Sequence, residues 1–147
     1  MVGEWEHQKK HVLQVIDIAP DSMLGFRTTP GVRTFAEQID HAAGAAAFIV
    51  ADALGGKAPA DLMGDKAVYL QNKAALRNQT EKFYDYVISL LKAAPESTLL
   101  RDATVFGGAK PAWLWVATAH SHGAWTLGQT VPYLRMNKVT PPAFAPF

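Results

Sequence analysis

The side chains best suited to proton transfer or metal binding near neutral pH are five histidines: His7, His11, His41, His120 and His122. His7 and His11 stand four residues apart and share a face of an amino-terminal helix, a spacing that suits two ligands of one metal ion. Beside a charged chain start, solvated surface histidines are the simpler reading. His41 follows Asp40 and precedes Ala42-Ala43, where a buried imidazolium would be costly. Its ring is therefore expected to be neutral and either hydrogen-bonded or bound to something; taken alone, a satisfied core histidine accounts for it. The carboxy-terminal third carries His120-Ser121-His122-Gly123-Ala124-Trp125-Thr126-Leu127-Gly128-Gln129. On a helix, His120 and His122 lie about 200° apart, so they point in nearly opposite directions. Cysteine is absent, which removes disulfides, thiolate metal sites and a cysteine nucleophile. No nucleophile elbow, phosphate-cradling glycine loop or Ser-His-Asp arrangement announces another chemistry.

Four helical segments must position these residues. The first, Glu4 to Ile18, sets Trp5, Val12 and Ile16 at helical spacing and ends at Pro20-Asp21-Ser22. The second has the clearest start: Thr34 can cap the backbone while Glu37, three residues on, reaches back in a capping box. It runs to about Leu54 with Phe35, Ile39, Ala42, Ala46, Ile49 and Ala53 along one stripe, and its alanines would let a neighbour approach closely. Gly55-Gly56 stop it. The third is expected from Lys66 to Ala93 with Asp65 as its cap, followed by an irregular or briefly extended stretch, Glu96 to Ala109. The last should begin with Pro111 in its first turn and run to about Asn137. Pro132 there removes a backbone hydrogen bond and crowds the carbonyl of Gly128, so a bend is expected. Four amphipathic helices without a convincing alternating strand predict an all-α four-helix bundle, a single domain over residues 1–147.

Composition narrows the function classes. A chain of 147 residues, 49% apolar and 18% charged, can bury a core of its own. The start MVGEWEHQKKHVLQVI is charged and lacks the apolar run of a secretory signal, so a cytoplasmic protein is expected. The sequon Asn78-Gln79-Thr80 is then read as chance. The apolar, charge-free run Ala42 to Ala51 falls far short of the roughly 20 residues of a membrane span. Fourteen basic residues against thirteen acidic ones, interspersed along the chain, form no basic stripe, so neither nucleic acid nor membrane is an expected partner.

The stretch from His120 to Gln129, continued by Tyr133-Leu134-Arg135 and Pro141-Pro142, resembles the carboxy-terminal signature of the DinB-like (YfiT-like) superfamily of metal-dependent enzymes. That signature is an H-x-x-x-H-R-G-Q helix continuing to Y-L-R and a P-P turn. Arg33 to His41 likewise resembles the family's second-helix segment, which ends in its first metal-binding histidine. The resemblance covers essentially the whole chain and implies a four-helix bundle, often a homodimer. It also implies a divalent metal, nickel or zinc, held by three histidines, and a hydrolase or thiol S-transferase acting on a small molecule or thiol. Three imidazoles leave open positions at which a Lewis acid can lower the pKa of a bound water or thiol.

Carried over residue by residue, the motif's metal ligands fall on His41 and His122, while Thr126 stands at the third histidine and Leu127 at the arginine. Glu37, one turn before His41, is a candidate replacement ligand as well as the capping-box carboxylate. Thr126 or Gln129 could hold a water. Trp113, Trp115 and Trp125 could wall a pocket, or serve as core or interface. Two expectations follow: a DinB-like metal-dependent enzyme with its ion between the second and fourth helices, or a non-catalytic small-ligand-binding or dimerisation module that has lost the metal.

Overall fold

The computed structural model describes residues 1–143, so the last four residues of the domain expected over 1–147 lie outside the described residues. The capping box forms: the Glu37 amide donates to Thr34 Oγ1 at 3.1 Å, and the Thr34 amide donates to a Glu37 carboxylate oxygen at 2.7 Å. It opens α2 (Phe35–Ala53), which ends where Gly55 takes a left-handed backbone with φ of 83°. Replacing Thr34 with alanine leaves the Glu37 amide without its side-chain acceptor and is expected to cost about 1 kcal/mol, read as a lowered urea midpoint. Thr34→Ser should restore most of it.

Around α2 stand α1 (Val2–Ile18), α4 (Lys73–Ala93) and α6 (Ala112–Gly128), with a short α3 (Lys66–Tyr69) between α2 and α4 in the chain. The central α2 packs on α6 and α4, and α1 packs on α4 and α6, which closes the expected four-helix bundle. Small residues bring α2 and α6 together: Ala42, Ala43, Ala46, Ala47, Ala119 and Gly123 are all buried. A Cβ on Gly123 would stand 3.5 Å from the Ala42 carbonyl oxygen and 2.9 Å from Gln8 Oε1, so a side chain there would press on both neighbours. The large core residues Trp5, Ile16, Met23, Phe35, Ile39, Leu76, Phe83, Tyr84 and Leu134 belong to one continuous apolar cluster.

Three local expectations are corrected. The segment Lys66–Ala93 is not one helix. Asp65 does cap α3, accepting from the Ala67 amide at 2.9 Å, but Asn72 then caps a new helix by accepting from the Ala75 amide at 2.9 Å. A short amide side chain that can take a backbone N–H competes with helix continuation, and Asn72 wins that competition here. The stretch after α4 is also more ordered than expected. It holds α5 (Glu96–Leu100) and an antiparallel hairpin of β1 (Asp102–Val105) and β2 (Gly108–Pro111), with Asp102 opposite Pro111 and Val105 opposite Gly108. Its two-residue loop, Phe106-Gly107, has φ of 51° and 78°, the left-handed pair that matches the twist of a tight hairpin. This small hairpin accompanies the expected all-α bundle without changing its class, and Pro111 ends β2 instead of entering the last helix. Finally, the bend expected near Pro132 is a break: α6 ends at Gly128, and α7 (Thr130–Met136) follows after Gln129. Pro132 has no N–H for the Gly128 carbonyl, and next to it the Thr130 hydroxyl donates to the Leu127 carbonyl at 2.7 Å. Among the described residues no helix is long and apolar enough to cross a membrane.

Candidate metal centre and its cleft

The close contact of α2 with α6 sets the geometry of the site. His41 on α2 and His122 on α6 meet with ring centroids 5.1 Å apart and planes at 83°, an edge-to-face pair. Thr126, one turn beyond His122 and buried, places its hydroxyl oxygen 3.5 Å from His122 Nε2. His122 Nδ1 is buried and has no hydrogen-bond partner among the described residues. Burial holds the His41 pKa below the ordinary histidine value, and the positive charges of Arg33 and then His122 add to this, partly offset by Asp40. The His41 imidazole is thus biased toward its neutral, lone-pair-bearing form, the form a metal needs.

The other candidates separate clearly. Glu37 is engaged as a cap and also meets Arg27 at 3.2 Å. Its capping hydrogen bond, assisted by Arg27, keeps its pKa below the usual carboxylate value. Of its two expected roles, the cap is the one in place. Gln129 does reach the cleft, but its side-chain oxygen accepts from Gln38 Nε2 at 2.8 Å, and the same Gln38 nitrogen donates to the Thr126 backbone carbonyl at 3.2 Å. Gln38 was missed from sequence, although it lies three residues before His41 and so shares its helix face. Among the described residues no group of three His, Asp or Glu side chains converges in a metal-binding arrangement.

His120 turns away from His122, as the helical rotation requires. Its ring packs on Trp5 with centroids 5.1 Å apart, and its Nε2 lies 3.2 Å from the Glu4 carbonyl oxygen. His7 and His11 border a separate, mainly apolar cleft of about 220 Å³ with Val15, Leu127 and Pro141. Desolvation lowers the His11 pKa there, with His7 contributing. The tryptophans do not wall the histidine cleft: Trp115 is buried and donates its indole N–H to the Ala103 carbonyl in the hairpin, while Trp113 and Trp125 are exposed, Trp125 to 71%.

The described residues thus form a mostly helical bundle with a two-histidine cleft between its central pair of helices. A DinB-like protein from Bacillus cereus is similar in structure, with a TM-score of 0.77 at 16% sequence identity over 96% of this chain and 93% of that one. A second, the DinB-like protein YjoA from Bacillus subtilis, has a TM-score of 0.76 at 10% identity over 97% of this chain and 95% of that one. The chain therefore has the fold of DinB-like proteins. No protein-family model and no curated relative matches the sequence.

Proposed function

We propose that the His41–His122 cleft holds a divalent ion, nickel or zinc, and that the protein is a metal-dependent enzyme of the hydrolase or thiol S-transferase type. The observation that carries this reading is the meeting of two imidazoles from different helices, one of them with a buried nitrogen that has no partner among the described residues. A buried polar atom left without a partner costs roughly 1–3 kcal/mol, so a cleft that retains one is suited to a ligand. A divalent ion bound there would act as a Lewis acid toward a bound water or thiol. Of the chain's own residues, His41 and His122 would hold it. Thr126, Gln38 and Gln129 furnish polar groups around them, and the Gln38–Gln129 hydrogen bond ties α2 to the carboxy-terminal end of α6.

A second reading is favoured by Thr126 and by the partnering of Gln38 with Gln129: a bundle kept as a small-ligand-binding or dimerising module. Metal analysis of tag-free protein after supplementation with nickel, zinc or manganese separates the two. The first reading expects near-stoichiometric metal in the parent and a fall of at least about tenfold in affinity for His41→Ala and for His122→Ala. Affinity should also weaken as pH falls, because protonated imidazole is no ligand. Protein that takes up no metal under these conditions would reject it.

A further inference from the structure

We propose that the cavity beside His41 receives the carboxylate of a small organic acid on Arg33, an assignment that rests on reading the histidine cleft as a ligand site but not on its metal. The cavity, about 390 Å³, lies between the loop preceding α2, the first turns of α2 and the start of α3, and His41 forms part of its wall. Three cations, Arg27, Arg33 and Lys66, line it against two carboxylates, Glu37 and Asp40.

Both carboxylates are already committed. Arg27 meets Glu37 at 3.2 Å, and Lys66 meets Asp40 at 2.8 Å. Asp40 also accepts from the Tyr69 hydroxyl at 2.7 Å, so each of its two oxygens already has a donor. Arg33 is the cation left over: among the described residues its exposed guanidinium makes no ion pair and no hydrogen bond. Its backbone, by contrast, is held, with the Tyr133 hydroxyl donating to the Arg33 carbonyl at 2.7 Å. A fixed backbone thus carries an uncompensated positive charge at the wall of a cavity that reaches a candidate reactive centre. A guanidinium presents parallel N–H donors that match the two oxygens of a carboxylate, and a cationic ligand would be repelled. Val32 and Leu70 in the same lining offer apolar surface for a short carbon chain.

The full-length protein, titrated in chloride-free buffer with succinate and with its neutral diamide, metal-stripped and then nickel-supplemented, tests the assignment. Succinate should bind the parent in both metal states, with the diamide weaker by roughly tenfold or more. Arg33→Gln should weaken succinate by a similar factor without moving the thermal midpoint, since the side chain is exposed. Arg33→Lys, which keeps the charge but loses the fork, should fall between. Succinate binding that is absent, that is matched by the diamide or that is unchanged by Arg33→Gln overturns the assignment. Binding seen only with nickel and indifferent to Arg33 would overturn it while supporting the metal reading. Arg33-dependent binding by protein that takes up no nickel would uphold it and reject the metal.

Discussion

Thr126→His is expected to raise nickel or zinc affinity by on the order of 100-fold, the upper end of what even outer-shell partners of metal ligands are worth. The position is well placed for a third imidazole. Thr126 follows His122 by one helical turn, and its hydroxyl already lies 3.5 Å from His122 Nε2, so a side chain grown from this Cβ starts toward the histidine pair. The backbone carbonyl that accepts from Gln38 is retained in the variant. Space is the opposing term, because Thr126 is 2% exposed and a larger side chain in a packed site costs about 1–3 kcal/mol. The metal-free variant should therefore melt below the parent and recover on metal addition, by about 2.7 kcal/mol at a free metal concentration a hundred times the Kd. Calorimetric titration and melting curves with and without metal measure both quantities. A parent that binds metal tightly, and as tightly as the variant, would remove the ground for the non-catalytic module, whereas a variant that binds no metal, like a parent that binds none, would mean that Thr126 is not directed at the ion.

The residues legible from sequence are those whose partners lie within one or two turns or whose helical phase sets their direction. Thr34 and Glu37 are three apart, and their capping box depends on nothing distant. The opposite headings of His120 and His122 follow from rotation per residue alone. The meeting of His41 with His122 is different in kind, since the residues are far apart in the chain and only the resemblance of both segments to one family pointed there. The division of the expected Lys66–Ala93 helix at Asn72 is hidden because the apolar period runs through it, while the amide that starts a new helix there acts against that period. The hairpin was only half legible, because strands of four residues carry too little alternation to register. Arg33 was invisible as a site residue for a further reason: its charge stands alone only because Arg27 has taken Glu37 and Lys66 has taken Asp40, and no local pattern records those pairings.

Trp5→Ala is expected to lower the unfolding free energy by roughly 3–5 kcal/mol, the range for deleting a large aromatic side chain from a packed core. Its ring is 1% exposed although it stands in the first turn of α1, where helices fray. That helix start has no side-chain cap, so packing must hold it: Trp5 lies 6.2 Å from the Tyr84 ring on α4 and 5.1 Å from the His120 ring on α6, centroid to centroid. Gln8, one turn on, joins the same three helices by donating to the His120 carbonyl at 3.0 Å and accepting from the Tyr84 hydroxyl at 3.2 Å. Gln8→Ala should cost less, about 1–3 kcal/mol, chiefly through the buried tyrosine hydroxyl left without an acceptor. Neither change touches the His41–His122 pair, because His120 faces away from His122. The urea midpoint of Trp5→Ala should therefore fall with its slope unchanged, while the metal affinity of the folded variant at low temperature stays at the parent value. A loss below about 1 kcal/mol would contradict the packing described for this ring. A metal affinity that fell along with stability would show instead that α1 sets the approach of α6 to α2, and that the histidine pair depends on the whole bundle rather than on the alanine-rich contact between its two central helices.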